Sequence, residues 1–320
     1  MIIVTGAAGF IGSCIVSRLN QEGINNIVTV DLLRENDKWK NLRGLDFDDY
    51  LDRDKLLPFL QKSTGIEAVI HMGACSATTE RDSGYLMENN YRYSLHLAEW
   101  AVQSGVRLIY ASSAATYGMG ECGYDDDESR LQELNPMNMY GYSKQLFDLK
   151  ARRQGWLDKI AGLKFFNVFG PNEYFKGDMA SVIFKAFNQI KENGNVKLFK
   201  SHRPDYEDGG QLRDFVYVKD AVDIVYFLLK NSDVNGIFNA GTGRARNFED
   251  LVNSTFSAMG LEPNIKYIDM PEHLRDRYQY YTQAEMEKIK SAGYKKEFYS
   301  LEEGIKDYVQ NYLMKDFAHF

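Results

Sequence analysis

The first twenty residues constrain the fold more tightly than any other stretch. Ile2-Ile3-Val4 is a short β-branched run, and Gly6, Gly9 and Gly12 follow at GxxGxxG spacing. Ile11, Ile15, Val16 and Leu19 then recur at helical spacing. In such a strand-to-helix turn, Gly6 permits a tight reversal and Gly9 lets the backbone approach a pyrophosphate. Gly12 lets helix and strand pack closely. The helix start presents free N–H groups and a partial positive charge to an anion. Alone, the glycines fit a merely structural turn, and the spacing differs from the commoner GxGxxG. The next apolar run, Ile27 to Val30, ends on Asp31, where a carboxylate can meet a ribose hydroxyl, and that favours a dinucleotide.

The alternation continues. Ala68 to His71, Leu108 to Ala111 and Gly162 to Phe166 read as strands, with helices over about Tyr85–Ser104 and from Met139. Continuous apolar strands between amphipathic helices predict an α/β fold, a doubly wound parallel (Rossmann) sheet covered on both faces. Beyond Pro171 the loops lengthen, notably Ser201–Gln211, and helices are expected at Val218–Lys230, Phe248–Met259, Thr282–Ala292 and Leu301–Leu313. Thr282/Glu285 and Ser300/Glu303 match the capping-box pattern. The 320 residues exceed what one core usually holds. The expected division is a dinucleotide-binding domain over 1–170 and 213–240, with a smaller, mostly helical substrate-binding lobe over 171–212 and 241–320.

Composition excludes several classes. The net charge of −7 argues against a nucleic-acid partner. Cys14, Cys75 and Cys122 form no CxxC pair, so no metal site is expected and a reducing compartment fits. The chain opens without a basic leader or a long apolar run, so neither signal peptide nor membrane span is expected and a cytoplasmic location is.

Tyr140 and Lys144 stand one helical turn apart in Tyr140-Gly141-Tyr142-Ser143-Lys144. A free phenol, with a pKa of about 10, is a poor base at neutral pH, but a nearby ammonium and a cationic nicotinamide favour the phenolate. The spacing alone is weak among 21 tyrosines, and Tyr226/Lys230 repeats it in an apolar helix. What distinguishes Tyr140 is Ser112-Ser113-Ala114-Ala115-Thr116-Tyr117-Gly118 after the fourth strand, where a serine can donate to a substrate oxygen. The type of dinucleotide stays open on the residues. Asp31 favours NAD, whereas Arg34, Lys38, Lys40, Arg43 and Arg53 suit a 2′-phosphate or are simply a solvated basic loop.

GAAGFIG, YASSAATYG and YGYSK resemble the extended short-chain dehydrogenase/reductases, which act mostly on nucleotide sugars. GACSATTE (73–80), Asn89-Asn90-Tyr91, FNVFGP (166–171), KGDMAS (176–181), RDFVYV (213–218), FNAGTG (238–243) and Arg277-Tyr278-Gln279 narrow this to the ADP-L-glycero-D-manno-heptose 6-epimerase family. The similarity runs from Met1 to about Tyr312.

The resemblance implies a cofactor set of Gly6, Gly9, Phe10, Ile11, Gly12, Asp31, Leu32, Lys38, Arg53, Met72, Gly73, Ala74, Cys75, Ser76, Asn89, Tyr140, Lys144 and Val168. Val168 also aligns with the nucleotide-sugar contacts, which are Asn167, Asp178, Lys185, Phe199, Arg213 and Tyr278. Tyr140 and Lys176 match the two proton-transfer residues, Ser113 the catalytic serine and Lys144 the residue that binds the cofactor. NADP is implied rather than NAD, with an ADP-heptose substrate, inversion at C6 for lipopolysaccharide heptose supply, no membrane partner and a homo-oligomer described as a pentamer. The chain departs from the family at Leu32 and Arg53, where asparagine and lysine are usual, and at Asp178 and Lys185, where serine and histidine are. Without the resemblance, Lys176 reads as a loop cation for phosphates. A 4,6-dehydratase shares the fold but needs an acid/base pair where Ala114-Ala115 stand. A non-catalytic dinucleotide sensor need not keep Ser113, Tyr140 and Lys144 together, and another epimerase or a net reductase of the superfamily is the remaining alternative.

Overall fold

A computed structural model describes residues 1–275 and 278–320. Its elements, in chain order, begin with strand β1 (Ile2–Thr5), helix α1 (Phe10–Gln21), β2 (Ile27–Asp31), β3 (Asp49–Asp52), α2 (Leu56–Leu60) and β4 (Ala68–His71). Next come α3 (Ser83–Leu86), a wide i→i+5 turn over Met87–Arg92, α4 (Tyr93–Ser104), β5 (Arg107–Ser113), α5 (Met139–Arg153), β6 (Ala161–Phe165) and β7 (Asn167–Phe169). The remainder is α6 (Val182–Asn193), β8 (Val196–Phe199), β9 (Leu212–Tyr217), α7 (Val218–Lys230), β10 (Gly236–Ala240), β11 (Ala245–Asn247), α8 (Phe248–Ala258), β12 (Ile265–Ile268), α9 (Glu272–Arg275), α10 (Glu287–Ser291) and α11 (Leu301–Tyr308).

Seven strands form one parallel sheet in the order β3-β2-β1-β4-β5-β6-β10. The doubly wound architecture expected from the alternation is therefore present. β1, β2, β4 and β6 are buried along their whole length, because side chains alternate between two covered faces. Ile2 and Val4 pack on the face holding α1 and α7, while Ile3 packs on the face holding α4 and α5. The strand order reverses between β1 and β4, and that switch point opens a crevice at the carboxyl ends. Over it lies a smaller group of elements: β7 and β11 flank β9 in a three-stranded sheet, and β8 pairs with β12.

Helix α2 and the short strands β7 to β12 lie outside the sequence expectation, and other elements differ from it as well. β3 is an extra edge strand; with Asp49 and Asp52 among its four residues it carries little apolar signal. α6 lies outside the expected helices, although Ile183, Ala186, Phe187 and Ile190 share one buried face. The helix expected over Thr282–Ala292 shortens to α10. Its capping box does not form, because the Thr282 hydroxyl accepts from the Asp214 N–H at 3.2 Å and the Glu285 N–H donates to the Tyr124 carbonyl at 3.2 Å. The box at Ser300/Glu303 does form. Arg277 lies outside the described residues. Among the described residues no helix is long and apolar enough to cross a membrane.

Candidate active site

A cleft of about 1190 Å³ follows the switch point and continues under the smaller lobe. That exceeds the ~300–1,000 Å³ of a site for one small ligand, and suits two ligands placed end to end. Its floor is the β1–α1 turn. Gly6 has φ +66°, and a Cβ there would come within 2.8 Å of the Gly73 backbone; a Cβ on Gly12 would meet the Gly6 carbonyl at 2.0 Å. Only glycine fits either position. Gly9 caps α1 without a side chain, so the first-turn N–H groups keep no side-chain partner. This cradle fits a pyrophosphate.

At the end of β2 the Asp31 carboxylate accepts from the Ala8 N–H at 2.8 Å, the Leu32 N–H at 2.6 Å and Lys38 Nζ at 2.5 Å. Lys38 therefore neutralises the carboxylate beside it. Arg34, Lys38 and Arg53 line this end of the cleft, and Arg53 donates to Asn89 Oδ1. Lys40 and Arg43 turn away: Lys40 pairs with Asp37 at 2.8 Å, and Arg43 meets His319 Nε2 at 3.1 Å.

Met72, Gly73, Ala74 and Ser76 line the middle of the cleft; Cys75 does not. Asn90, in the wide turn between α3 and α4, holds this loop by accepting from the Cys75 N–H at 2.9 Å and donating to its carbonyl at 3.0 Å. Wide turns of this kind often sit at functional sites. Behind the loop His71 is buried, which drives its pKa down to about 3 and keeps it neutral. Ser94 gives its proton to the Asn90 carbonyl, so His71 Nε2 donates to Ser94 Oγ at 2.9 Å and Nδ1 accepts from Thr5 at 2.6 Å.

Ser113 ends β5, and Asn138 caps α5 by accepting from the Gly141 N–H at 2.8 Å. That cap places Tyr140 in the first helical turn and Lys144 one turn on, both in the cleft with Ser113. Burial raises the Tyr140 phenol above its usual range, while a hydrogen bond with Ser113 pulls it back. Burial also brings Lys144 down to about 8, against the opposing carboxylate of Asp148. Lys144 Nζ donates to the Ala111 carbonyl at 2.7 Å, which leaves two of its three protons free. The matched pair Tyr226/Lys230 lies elsewhere, with the Tyr226 hydroxyl on Glu22 at 3.1 Å.

Lys176 enters the cleft from a loop after β7. Glu173 ties that loop by accepting from the Ser181 N–H at 2.5 Å and the Ser181 hydroxyl at 2.7 Å. Lys176 Nζ lies 5.6 Å from the Phe10 ring centre and has no hydrogen bond or ion pair among the described residues. Burial lowers its pKa, with Glu173 opposing. Beyond it, Asn167, Val168, Arg213, Tyr278 and Gln279 line the cleft. The Arg213 guanidinium sits between the Tyr278 and Phe248 rings, at 5.5 and 5.7 Å. Phe199 reaches the cleft only through Tyr278, 6.3 Å away. Asp178 and Lys185 are exposed outside the lining, with Lys185 Nζ on the Asp178 carbonyl at 2.6 Å.

Sequence reasoning missed three supports. Asn90 sits beside the named Asn89. Asp214 collects the Thr242, Gly243 and Ala284 N–H groups at 2.8 to 3.0 Å. Asp148 and Lys164 form a fully buried ion pair at 3.0 Å, and a lone lysine inside the apolar strand β6 was its signal.

A glycine cradle for pyrophosphate, a serine at a strand end and a Tyr–Lys pair on the next helix define a class of dinucleotide-dependent hydride-transfer enzymes. The chain belongs to the NAD dependent epimerase/dehydratase family, whose profile matches residues 2–241. Within that family it groups with the ADP-L-glycero-D-manno-heptose-6-epimerases. It is 56% identical to the one from Nitratidesulfovibrio vulgaris (strain DP4), covering 98% of each chain, and 55% identical to that of Fusobacterium nucleatum, covering 99% of each. The crystal structure of the Helicobacter pylori ADP-L-glycero-D-manno-heptose-6-epimerase superposes with a TM-score of 0.81 at 29% identity, over 97% of this chain and 95% of that one. A UDP-glucose 4-epimerase from Thermus thermophilus in complex with NAD gives 0.77 at 25%, over 96% and 97%.

Proposed function

We propose that this protein inverts C6 of the heptose in ADP-D-glycero-D-manno-heptose, giving the L-glycero form for lipopolysaccharide heptose supply. The observation that carries this reading is one cleft joining a dinucleotide cradle to two separate acid/base groups, Tyr140 and Lys176. Near-full-length identity to heptose 6-epimerases supports the substrate. A bound nicotinamide dinucleotide supplies reversible hydride acceptance. We read it as NADP, because Lys38 offsets Asp31 and Arg34 and Arg53 stand close by.

The residues divide the work. Ser113 donates to the C6 oxygen, and Tyr140 takes its proton as the hydride leaves, giving a 6-keto sugar. Lys144 stabilises the phenolate through charge, and its free protons would hold the nicotinamide ribose when the cofactor is bound. The ketone is planar, so turning its other face to the same hydride donor inverts the carbon. The oxygen then points elsewhere, and Lys176 protonates it. Burial without a partner makes Lys176 a readier proton exchanger than a surface lysine. Arg213 and Tyr278 hold the nucleotide moiety. Ala114 and Ala115 offer no acid/base pair for eliminating water.

The test is direct. Purified protein with NADP should convert ADP-D-glycero-D-manno-heptose to its C6 epimer without accumulating reduced cofactor. Turnover of a UDP-hexose at C4 with no action on the heptose would replace this reading.

A further inference from the structure

Tyr140, Lys144 and Asp148 stand four residues apart along α5 and share one face. Asp148 does not reach the cleft. Fully buried, its Oδ1 accepts from the Tyr110 hydroxyl at 3.0 Å, and its Oδ2 from the Ser112 hydroxyl at 2.7 Å and Lys164 Nζ at 3.0 Å. Lys164, from the middle of β6, is equally buried and also donates to Thr116 Oγ1 at 2.5 Å. The Thr116 hydroxyl in turn donates to the Ser113 carbonyl at 2.8 Å. One connected set of bonds thus grips Ser113 through the residue before it and through the turn after it.

A buried ion pair is a poor device for stability alone, since desolvation of both ions opposes it and packed apolar residues often do as well. The charges therefore call for another reason, and Asp148 lies one turn from Lys144. We propose that Asp148, held in place by Lys164, is a positioning residue that sets the Ser113 turn and keeps Lys144 cationic beside Tyr140. The proposal rests on Ser113, Tyr140 and Lys144 being the hydride-transfer set. Tyr140 on the same helix and neutral His71 on β4 neighbour Lys144, Lys164 on β6 is bound to Asp148, and Asp148 is the carboxylate that acts on the Lys144 charge. Burial drives the Lys144 ammonium toward its neutral form, and the Asp148 carboxylate is what opposes that.

The test uses Asp148→Asn and the double variant Asp148→Asn/Lys164→Met, which leaves no buried charge unpaired. Thermal unfolding and NADP binding report the fold. NMR of isotopically labelled lysine in the NADP-bound protein, assigned through Lys144→Met, reports the Lys144 titration. The double variant should fold and bind NADP, with the Lys144 midpoint lowered by about one pH unit or more. Its kcat at neutral pH should fall about tenfold or more with KM little changed, and the acid limb of its kcat profile should move to higher pH. An unchanged Lys144 midpoint and pH profile in a folded double variant would make the pair purely structural and overturn the proposal. Failure of the double variant to fold would overturn it as well. The titration needs no sugar, so wild-type protein inactive on ADP-heptose would remove the substrate assignment and leave this result standing.

Discussion

Tyr140 and Lys176 enter one cleft on two kinds of scaffold. Tyr140 sits in the first turn of a fifteen-residue helix whose cap, Asn138, is in place. The ion pair beneath it joins that helix to β5 and β6. Lys176 sits in a loop held at its ends, by Glu173 on Ser181 and by Asn172, whose side chain reaches Ser13 at 2.9 Å. Its Nζ is left without a polar partner among the described residues. A fixed base suits proton removal from a substrate in one defined pose. A less tethered ammonium suits delivery to an oxygen that has moved. The contrast gives the proposed two-sided chemistry a physical basis.

Removing the helix-borne group should have the largest effect. Tyr140→Phe is expected to lower turnover by about 10³-fold, within the range for a lost general acid/base, with NADP binding and unfolding temperature retained. Tyr226→Phe, at the decoy spacing, should change kcat by less than about twofold. Lys176→Met should lower complete inversion by about 10²-fold while leaving nucleotide-sugar binding nearly intact. With a 6-aldehyde analogue, of which one molecule is oxidised to the carboxylate while a second is reduced to the alcohol without inverting a carbon, each single variant should keep some activity or lose it unequally, and the double variant none. A Lys176→Met protein that epimerises well but binds ADP poorly would make Lys176 a phosphate anchor instead.

The cofactor end responds more modestly. Lys38→Ala should weaken NADP by about tenfold, roughly one charge-assisted bond, and NAD by less; equal losses would reduce the basic stretch to a solvated loop. Smaller still is a pH effect on stability. Lys144 has a folded pKa of about 8, below the usual lysine value near 10.5, so between those values the unfolded chain binds more protons than the folded one. Its contribution to stability is therefore fully present above about 10.5 and lost as pH falls through about 8. Denaturant titrations across that window should show a rise with pH that Lys144→Met lacks.

What was legible in the sequence follows from how local each requirement is. The β1–α1 turn needs glycine at fixed positions, because a Cβ on Gly12 would collide with the Gly6 carbonyl, and a contiguous run of residues can report that. The Tyr140–Lys144 pair is likewise fixed by one helix. The smaller lobe is assembled from distant segments: β7 pairs with β9, and β8 with β12, about seventy residues away in the chain. Thr282 looked like a helix cap because its partner, the N–H of Asp214, is far off in sequence. Asp148 and Lys164 are invisible as a pair for the same reason, since nothing on α5 alone says which lysine of β6 lies beneath it. Family resemblance supplied Lys176, whose chemistry no local pattern signals.

The two-sided transfer can be followed by isotope. ADP-D-glycero-D-manno-heptose carrying deuterium at C6 is converted in ordinary water with NADP, and the C6 epimer is analysed by mass spectrometry and NMR. Hydride that leaves and returns through one bound nicotinamide should give an inverted product with the deuterium still on C6 and no net NADPH. Loss of deuterium to solvent, or reduced cofactor accumulating in step with sugar consumed, would contradict transient oxidation and re-reduction at C6 through one bound nicotinamide in this cleft.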